Sequence, residues 1–528
     1  MHESNPTSLT TEPSRHEALG IDPSGFTWKF GIFKSCGGYG AVLFGLCLAF
    51  FCCAFSCAGR TSSEDRDASA NGDLDGGSDG AGLEAGREDA HLTDTGTGTD
   101  GAAIDGGADV DAEVPTGPEP ILTLVDDNVE SEYPTYFTSN QRVVKNSYGI
   151  FLTYLKTHFD GGSGGTSINE WMLKRSVDGG DTFETAFRNY YTGSQQVLGK
   201  APEIVTDDHG NIYLATVMGD QKVYVYKFAP PDFNAWSYVQ MIPYGGFAPK
   251  FSFYYDRVRD RLVVMTAAYM LFIDKDTGQV IGDNNFQILK EGTIAYPQYS
   301  FLAMAPNGDM FAAWHNAHLT TQHYYSIHFA ISYFGDAGIT WRNYAGNAIG
   351  SKGNPIVCDS TGPADMVNLP QHLSNDGTRT NGLNSFFYKN FAFHFFHGGA
   401  VPGDWNLPRY TKYQWSPSSI VHRITGPDLG GENITLDSSD GFFCSADDLD
   451  AHPLFLVSHT GGRIVALKSH DNGTTWEDHA ESSFVATSGN IYSVAGSRRV
   501  VDGFIYGVFS KRNPSPPHKV YFFRIPES

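Results

Sequence analysis

Histidine gains and loses a proton near neutral pH, and lysine and arginine are the side chains that hold carboxylates. In this chain of 528 residues such side chains collect at one kind of place, the ends of short apolar runs. His158, His315, His318, His323, His397 and His459 follow runs of this kind, and Glu203, Lys250 and Gln298 stand at the start of others. A connecting stretch, 343–384, adds His372, Asp376 and Arg379 and exceeds an ordinary connector, the mark of a functional loop. These residue types suit proton transfer and the neutralisation of a substrate carboxylate. His315, His397, His158 and Arg409 are therefore the expected catalytic set. Glu203, Lys250, Gln298, Tyr269, His318 and Arg379 are the expected substrate contacts. His394, inside FAFHFF, reads instead as a hydrogen-bonded core residue, and Tyr269, Tyr324 and Arg409 read equally well as polar rim. His315, His318 and His323 invite zinc, yet HExxH is absent and loop spacing alone defines no site, so no metal and no cofactor is expected.

A repeat must hold these ends together. GIFLTYL at 149, NIYLATV at 211, RLVVMTA at 261, DMFAAWH at 309, FAFHFF at 391, PLFLVSH at 453 and FIYGVFS at 504 recur with a mean step near 59 residues. The recurring pattern is a turn with Gly or Asp followed by such a run. A second marker runs ahead of the first four: YPTYF at 133, APEIV at 201, APKFS at 248 and YPQYS at 296. No amphipathic helix interrupts them. A period of this size with several strands in each unit predicts an all-β body, a β-propeller of seven blades with six the alternative. ILTLV at 121 is expected to close the ring against the last blade. Loops after the second strand of each blade, and those between blades, gather at one mouth of such a body, which is where the polar ends above would meet.

A third marker lies between the runs. SVDGGDTF spans Ser176 to Phe183, SHDNGTTW spans Ser469 to Trp476, and DAGITW, Asp336 to Trp341, repeats the ending without the leading Ser in register. In such a turn the Asp (178, 471 or 336) accepts backbone N–H bonds, Gly180, Gly338 or Gly473 takes positive φ, and the aromatic packs inward beside Thr182, Thr340 or Thr475. The pattern resembles the Asp box (BNR repeat) of sialidase-like propellers. That resemblance implies a structural role for these residues, on the face away from the active site. It does not imply sialidase activity. The family's first substrate arginine lies in an F-R-I-P string on the first strands, whereas here that string is Phe523 to Pro526 at the very end, which makes Arg524 a decoy. A nearer resemblance is to bacterial Asp-box propellers that include ulvan-type polysaccharide lyases. NGDMFAAWHN at 307, YPQ at 296 and GGSGG at 161 look like motifs of that group, although its usual Arg before the glycines is missing. The resemblance implies that His315 matches the group's histidine, in a reaction that neutralises a uronate carboxylate and removes the proton α to it. The expected function is action on extracellular polysaccharide, by lyase or hydrolase chemistry. The alternative is a propeller that only binds glycan or protein.

The address is written ahead of residue 121. Lys29 and Lys34 precede the apolar run Ala41 to Phe55, which ends in Ala54-Phe55-Ser56-Cys57. This resembles a bacterial lipobox with Cys57 as the lipidated residue, and an uncleaved anchor helix is the alternative. Residues 1–57 are thus a signal or anchor. Residues 58–120 carry 16 acidic residues against three Arg, too polar to bury a core, and read as a disordered tether. Residues 121–528 are the propeller. The expectation is an exported protein, lipid-anchored at the cell surface or outer membrane or else secreted, with an extracellular glycan as partner. A formal charge of −23 argues against nucleic acid. The two cysteines of the body, Cys358 and Cys444, are either a disulfide, as export favours, or two buried thiols.

Overall fold

A strand covered on both faces reads as an unbroken apolar run, because neither face can turn polar. Each of the seven recurring runs is such a strand, the second of its antiparallel blade. Ile212–Met218, Arg261–Thr266 and Ala392–Gly398 are buried along their whole length. The computed structural model describes residues 117–528, apart from 132, 137–140, 158–168, 192–200, 219–221, 244–249, 283–285, 320–323, 360–364, 367–382, 399–407, 418–421, 434–435, 437–439, 449–450 and 487–490. The anchor, nearly all of the tether, Cys57, His158, His323, His372, Asp376 and Arg379 therefore lie outside the described residues.

Seven sheets arranged as blades form the body. Blade 1 runs, inner to outer, through Val143–Asn146, Gly149–Thr157, Asn169–Ser176 and Glu184–Tyr191. Blade 2 is Glu203–Thr206, Ile212–Met218, Lys222–Phe228 and Trp236–Pro243, and blade 3 is Phe251–Asp256, Arg261–Thr266, Tyr269–Asp274 and Phe286–Gln287. Blade 4 is Ala295–Met304, Met310–His318, Tyr324–Ser332 and Thr340–Arg342, extended by Ala348–Ser351. Blade 5 is Leu383–Lys389, Ala392–Gly398, Pro408–Pro417 and His422–Asn433, and blade 6 is Gly441–Cys444, Leu454–Thr460, Arg463–Ser469 and Glu477–Glu481. Blade 7 takes Ile491–Gly496, Phe504–Lys511 and His518–Pro526 from the end of the chain and its outer strand, Ile121–Val129, from the start, so the ring closes by hydrogen bonds between the two ends.

The core is divided among the seams between blades. Among the described residues seven apolar clusters are present, and each joins two adjacent blades. Phe311, Phe393 and Phe395 fill the seam of blades 4 and 5, for example, and Phe442, Phe509 and Phe523 that of blades 6 and 7. One N–H in or beside each inner strand crosses its seam to the blade before it. Ile204 N donates to Gln141 O at 3.2 Å, Arg142 N to Gly496 O at 3.2 Å and Val500 N to Ser445 O at 3.1 Å. The other four acceptors are side chains. Phe253 N donates to Glu203 Oε2 at 2.9 Å, Leu302 N to Ser252 Oγ at 3.2 Å, Phe443 N to Ser385 Oγ at 3.3 Å, and Leu383 N to His315 Nε2.

The turns between third and outer strands lie at the end of the body away from the second-strand loops. Ser176 Oγ accepts from Gly180 N at 2.7 Å, and Asp178 accepts from Thr182 N at 3.0 Å. Ser469, Asp471, Gly473 and Thr475 repeat that pattern. The third turn recovers its missing serine out of register: Ser332 Oγ accepts from Gly338 N at 2.9 Å, across the single-turn helix Phe334–Asp336. Asp336 there binds Arg342, at 2.7 and 3.0 Å. The preceding blade clamps each turn. Arg524 holds Gly179 O and Asp181, Arg261 donates to Ala337 O at 2.9 Å, and Lys412 donates to Thr474 Oγ1 at 2.8 Å. Arg524 is thus a lock between blades 7 and 1.

The disulfide expectation is corrected. Cys358 is buried in the seam of blades 3 and 4 and Cys444 in that of blades 6 and 7, both as free thiols. Burial in apolar surroundings pushes both thiols far above their ordinary pKa. Protein unfolded without reductant should therefore carry iodoacetamide adducts on both the Cys358 and Cys444 peptides in mass spectra; an unmodified, linked pair of peptides would contradict this. Ser385→Ala leaves the N–H of Phe443 without its acceptor in a seam where Phe443 is 1% exposed. It should cost about 1–3 kcal/mol, read as a melting temperature lower by a few degrees.

Candidate functional site

A kinked inner strand builds the mouth at blades 3 to 5. The ladder between Ala295–Met304 and Met310–His318 slips between Gln298 and Phe301, and Tyr299, inside the slip, has φ of 50°. A non-glycine residue held left-handed within a strand persists only when its surroundings fix it, and such outliers concentrate at functional sites. The bulge turns the Tyr299 ring toward two groups. Lys250 Nζ lies 3.4 Å from its centroid, and the His315 ring is 5.1 Å away, centroid to centroid. Lys250, only 7% exposed, also donates to Gln298 Oε1 at 2.5 Å. Gln298 Nε2 in turn donates to Tyr296 Oη at 2.7 Å. A buried ammonium is thus held by an amide and an aromatic face at the start of the blade 3 inner strand. An ammonium so placed can attract an anion.

Burial disfavours the charged form of the histidines around it. His315 is fully buried, and burial, followed by the charge of Lys250 and the neighbouring His397, holds its pKa well below the ordinary value. Its Nε2 lone pair already accepts the Leu383 N–H, so His315 ties blade 5 to blade 4. His397 is pushed down to about 4, first by burial and then, against the bond to Gly398 O, by Arg409. A carbonyl only accepts, so the 2.7 Å contact to Gly398 O puts the ring proton on Nδ1. Nε2 then carries a lone pair, 2.9 Å from Thr411 Oγ1. The Thr411 hydroxyl donates to that lone pair, so both ring nitrogens of His397 are engaged within the blade. Arg409 is its cross-strand partner. His394 behaves as a core residue: its Nδ1 is 2.8 Å from Tyr410 Oη, and burial lowers it to about 3.

Glu203 sits elsewhere on the inner wall. Burial pushes it up to about 7, against the charges of Arg142 and Arg498 and the bond from Phe253 N. Arg142 Nη1 is 3.8 Å from its Oε1, and Arg498 Nη1 reaches from blade 7 to Phe253 O at 3.2 Å. Glu203 therefore belongs to a charged bridge among blades 1, 2, 3 and 7. Tyr269, whose N accepts no proton but donates to Thr266 Oγ1 at 3.0 Å, opens the third strand of blade 3, and His318 closes the second strand of blade 4. The structure thus gathers Lys250, Gln298, His315 and His397, with Arg409 beside His397. Tyr296, Tyr299 and Arg142 were missed. YPQYS carried the first two in the sequence, but nothing in it marked the bulge. Among the described residues no group of three or more His, Cys, Asp or Glu could hold a metal ion.

No protein-family model and no curated protein matches the chain. Solved structures similar to it include a polysaccharide lyase at 10% identity, covering 78% of this chain and 100% of that one with a TM-score of 0.47. An alpha-L-arabinanase of Penicillium chrysogenum, complexed with arabinobiose, shares 13% identity over 78% of this chain and 99% of its own, with a TM-score of 0.37. A Trypanosoma rangeli sialidase shares 11% identity over 76% of this chain and 59% of its own, with a TM-score of 0.36.

The buried histidines make stability depend on acid. Below the ordinary imidazole pKa of about 6.5 the unfolded chain takes up protons that His315, His394 and His397 refuse in the folded state. Their contribution is complete above that pH and is lost as the pH falls toward about 4, where His397 titrates. Glu203, raised to about 7, acts in reverse: its contribution is complete below its unfolded value and lost as the pH rises through 7. Three groups outweigh one, so the melting temperature should fall steadily between pH 6.5 and 4.5, at up to about 1.4 kcal/mol per unit for each histidine. A melting temperature that is flat or rising with acid over that interval contradicts neutral burial.

Proposed function

We propose that this chain is an exported, surface-anchored propeller that acts on an extracellular acidic polysaccharide, by lyase chemistry, at the mouth around Lys250. The observation that carries the reading is the ammonium of Lys250, buried and held between Gln298 and the strained Tyr299. A uronate unit brings a carboxylate that such a cation neutralises, and neutralising it acidifies the proton α to it. His397, its tautomer set by Gly398 O, is the base that takes that proton. The electron pair left behind forms the double bond and expels the 4-linked sugar. Tyr296, whose pKa burial raises, keeps its proton and donates toward the departing oxygen. Hydrolysis of the two-carboxylate kind needs a free acid–base pair. Glu203 and Asp359, at this end of the body, already accept backbone N–H bonds from Phe253, Thr293 and Ile294. Export rests on the apolar run Ala41 to Phe55 and on Cys57.

One observation favours the non-catalytic alternative: the Nε2 of His315, the histidine that the lyase resemblance singles out, is engaged by Leu383. The two readings separate in one experiment, the release of unsaturated ends from a panel of uronate polysaccharides. Lys250→Met and His397→Ala should each lower turnover by about a hundredfold or more. His315→Ala should instead lower the melting temperature, with activity following the folded fraction, because it orphans a buried N–H at a cost of about 1–3 kcal/mol. Micromolar binding of the polymers without unsaturated product establishes the binding propeller.

A further inference from the structure

Across the ring from Lys250, the seam of blades 7 and 1 presents a second feature at the same mouth. The segment after the outer strand of blade 7 carries Tyr133 and Tyr136, and the start of the blade 7 inner strand carries Tyr492. Their rings meet edge-on or tilted: 5.9 Å between the centroids of Tyr133 and Tyr136, 5.1 Å between Tyr133 and Tyr492, and 5.6 Å between Tyr136 and Tyr492. The guanidinium of Arg512, just past the blade 7 second strand, stands 5.7 Å from the Tyr492 ring. All four residues are half-buried, and the apolar seams found among the described residues are built from other side chains.

The segment that bears them is fixed by buried polar bonds. Thr135, fully buried, donates to Ser493 O at 3.1 Å or to Ser510 Oγ at 3.2 Å. Pro134 O accepts from Leu155 N at 2.8 Å, and Ser131 Oγ from Tyr133 N at 3.1 Å. These anchors hold a half-buried aromatic cluster at the mouth. Such a surface offers electron-rich ring faces to the polarised C–H groups of a pyranose, phenolic hydroxyls to its hydroxyls, and a planar cation to a carboxylate.

We infer that Tyr133, Tyr136, Tyr492 and Arg512 form a second sugar-binding subsite, which holds another unit of the acidic polysaccharide gripped at Lys250. This rests on the glycan reading above. A chain long enough to reach both places gains affinity because its second contact is intramolecular, whereas a short oligomer occupies one place at a time.

The test is binding of uronate oligosaccharides, from disaccharide to polymer, with neutral cello-oligosaccharides as controls, to wild type, Tyr136→Ala/Tyr492→Ala, Arg512→Gln and Lys250→Met. Wild type should gain affinity with length. The tyrosine pair and Arg512→Gln should each lose about tenfold for long oligomers. They should leave disaccharide binding and the melting temperature unchanged, and for the polymer KM should rise while kcat holds. Retention of the full length dependence in both variants overturns the subsite and leaves the glycan reading standing. A loss of affinity that only follows a lowered melting temperature assigns the tyrosines to structure and also overturns it. A wild type that binds no uronate oligomer of any length overturns the glycan reading and the subsite together.

Discussion

Everything in this propeller depends on satisfying the free edge of seven inner strands. A strand at a sheet edge leaves N–H groups without ladder partners, and a buried N–H left unpaired costs about 1–3 kcal/mol. Here one N–H in or beside each inner strand is received by the preceding blade, in a ring that passes through Gly496, Gln141, Glu203, Ser252, His315, Ser385 and Ser445. Seven apolar seams supply the area, and these bonds supply the registration. The arrangement limits what its members can do chemically. Glu203 and His315 have the residue types of catalytic groups, yet each gives an acceptor to a neighbour's backbone.

The site is what remains once the ring is closed. Lys250 stands one residue ahead of the blade 3 inner strand and Gln298 near the start of the blade 4 inner strand, where the chain enters from the mouth and their side-chain ends bond to each other. The bulge at Tyr299 adds an aromatic wall at the cost of a left-handed residue. The same seams that stiffen the ring hold this outlier in place. His397 lies one residue from the end of a fully buried strand, and that position fixes its tautomer. At the opposite end, the turns of the third marker are locked by Arg524, Arg261 and Lys412 from the blade before. Those turns are thus fixed by the blade before them, whereas Lys250 and the tyrosines around it lie at the other end of the body.

The sequence by itself determined the architecture. Strands such as RLVVMTA and NIYLATV are legible because burial on both faces demands apolar residues at every position, and a run of that kind needs no knowledge of its partners. ILTLV and the last strand could be paired for the same reason, since one blade lacked a strand and one strand lacked a blade. The turns SVDGGDTF and SHDNGTTW are local objects whose bonds close within a few residues. Tertiary structure alone decided the chemistry. Whether His315 offers a lone pair depends on Leu383, 68 residues away. Whether Cys358 meets Cys444 depends on which seams they fill. Arg524 belongs to a string that reads as a motif, but its role as a clamp depends on Gly179, 345 residues away. The placement of the Tyr299 ring beside Lys250 and His315 depends on a one-residue slip in a ladder, which no pattern of residue types records. Short-range periodicity is set by each residue's own burial, whereas the protonation and reach of a side chain are set by neighbours that the chain brings from far away.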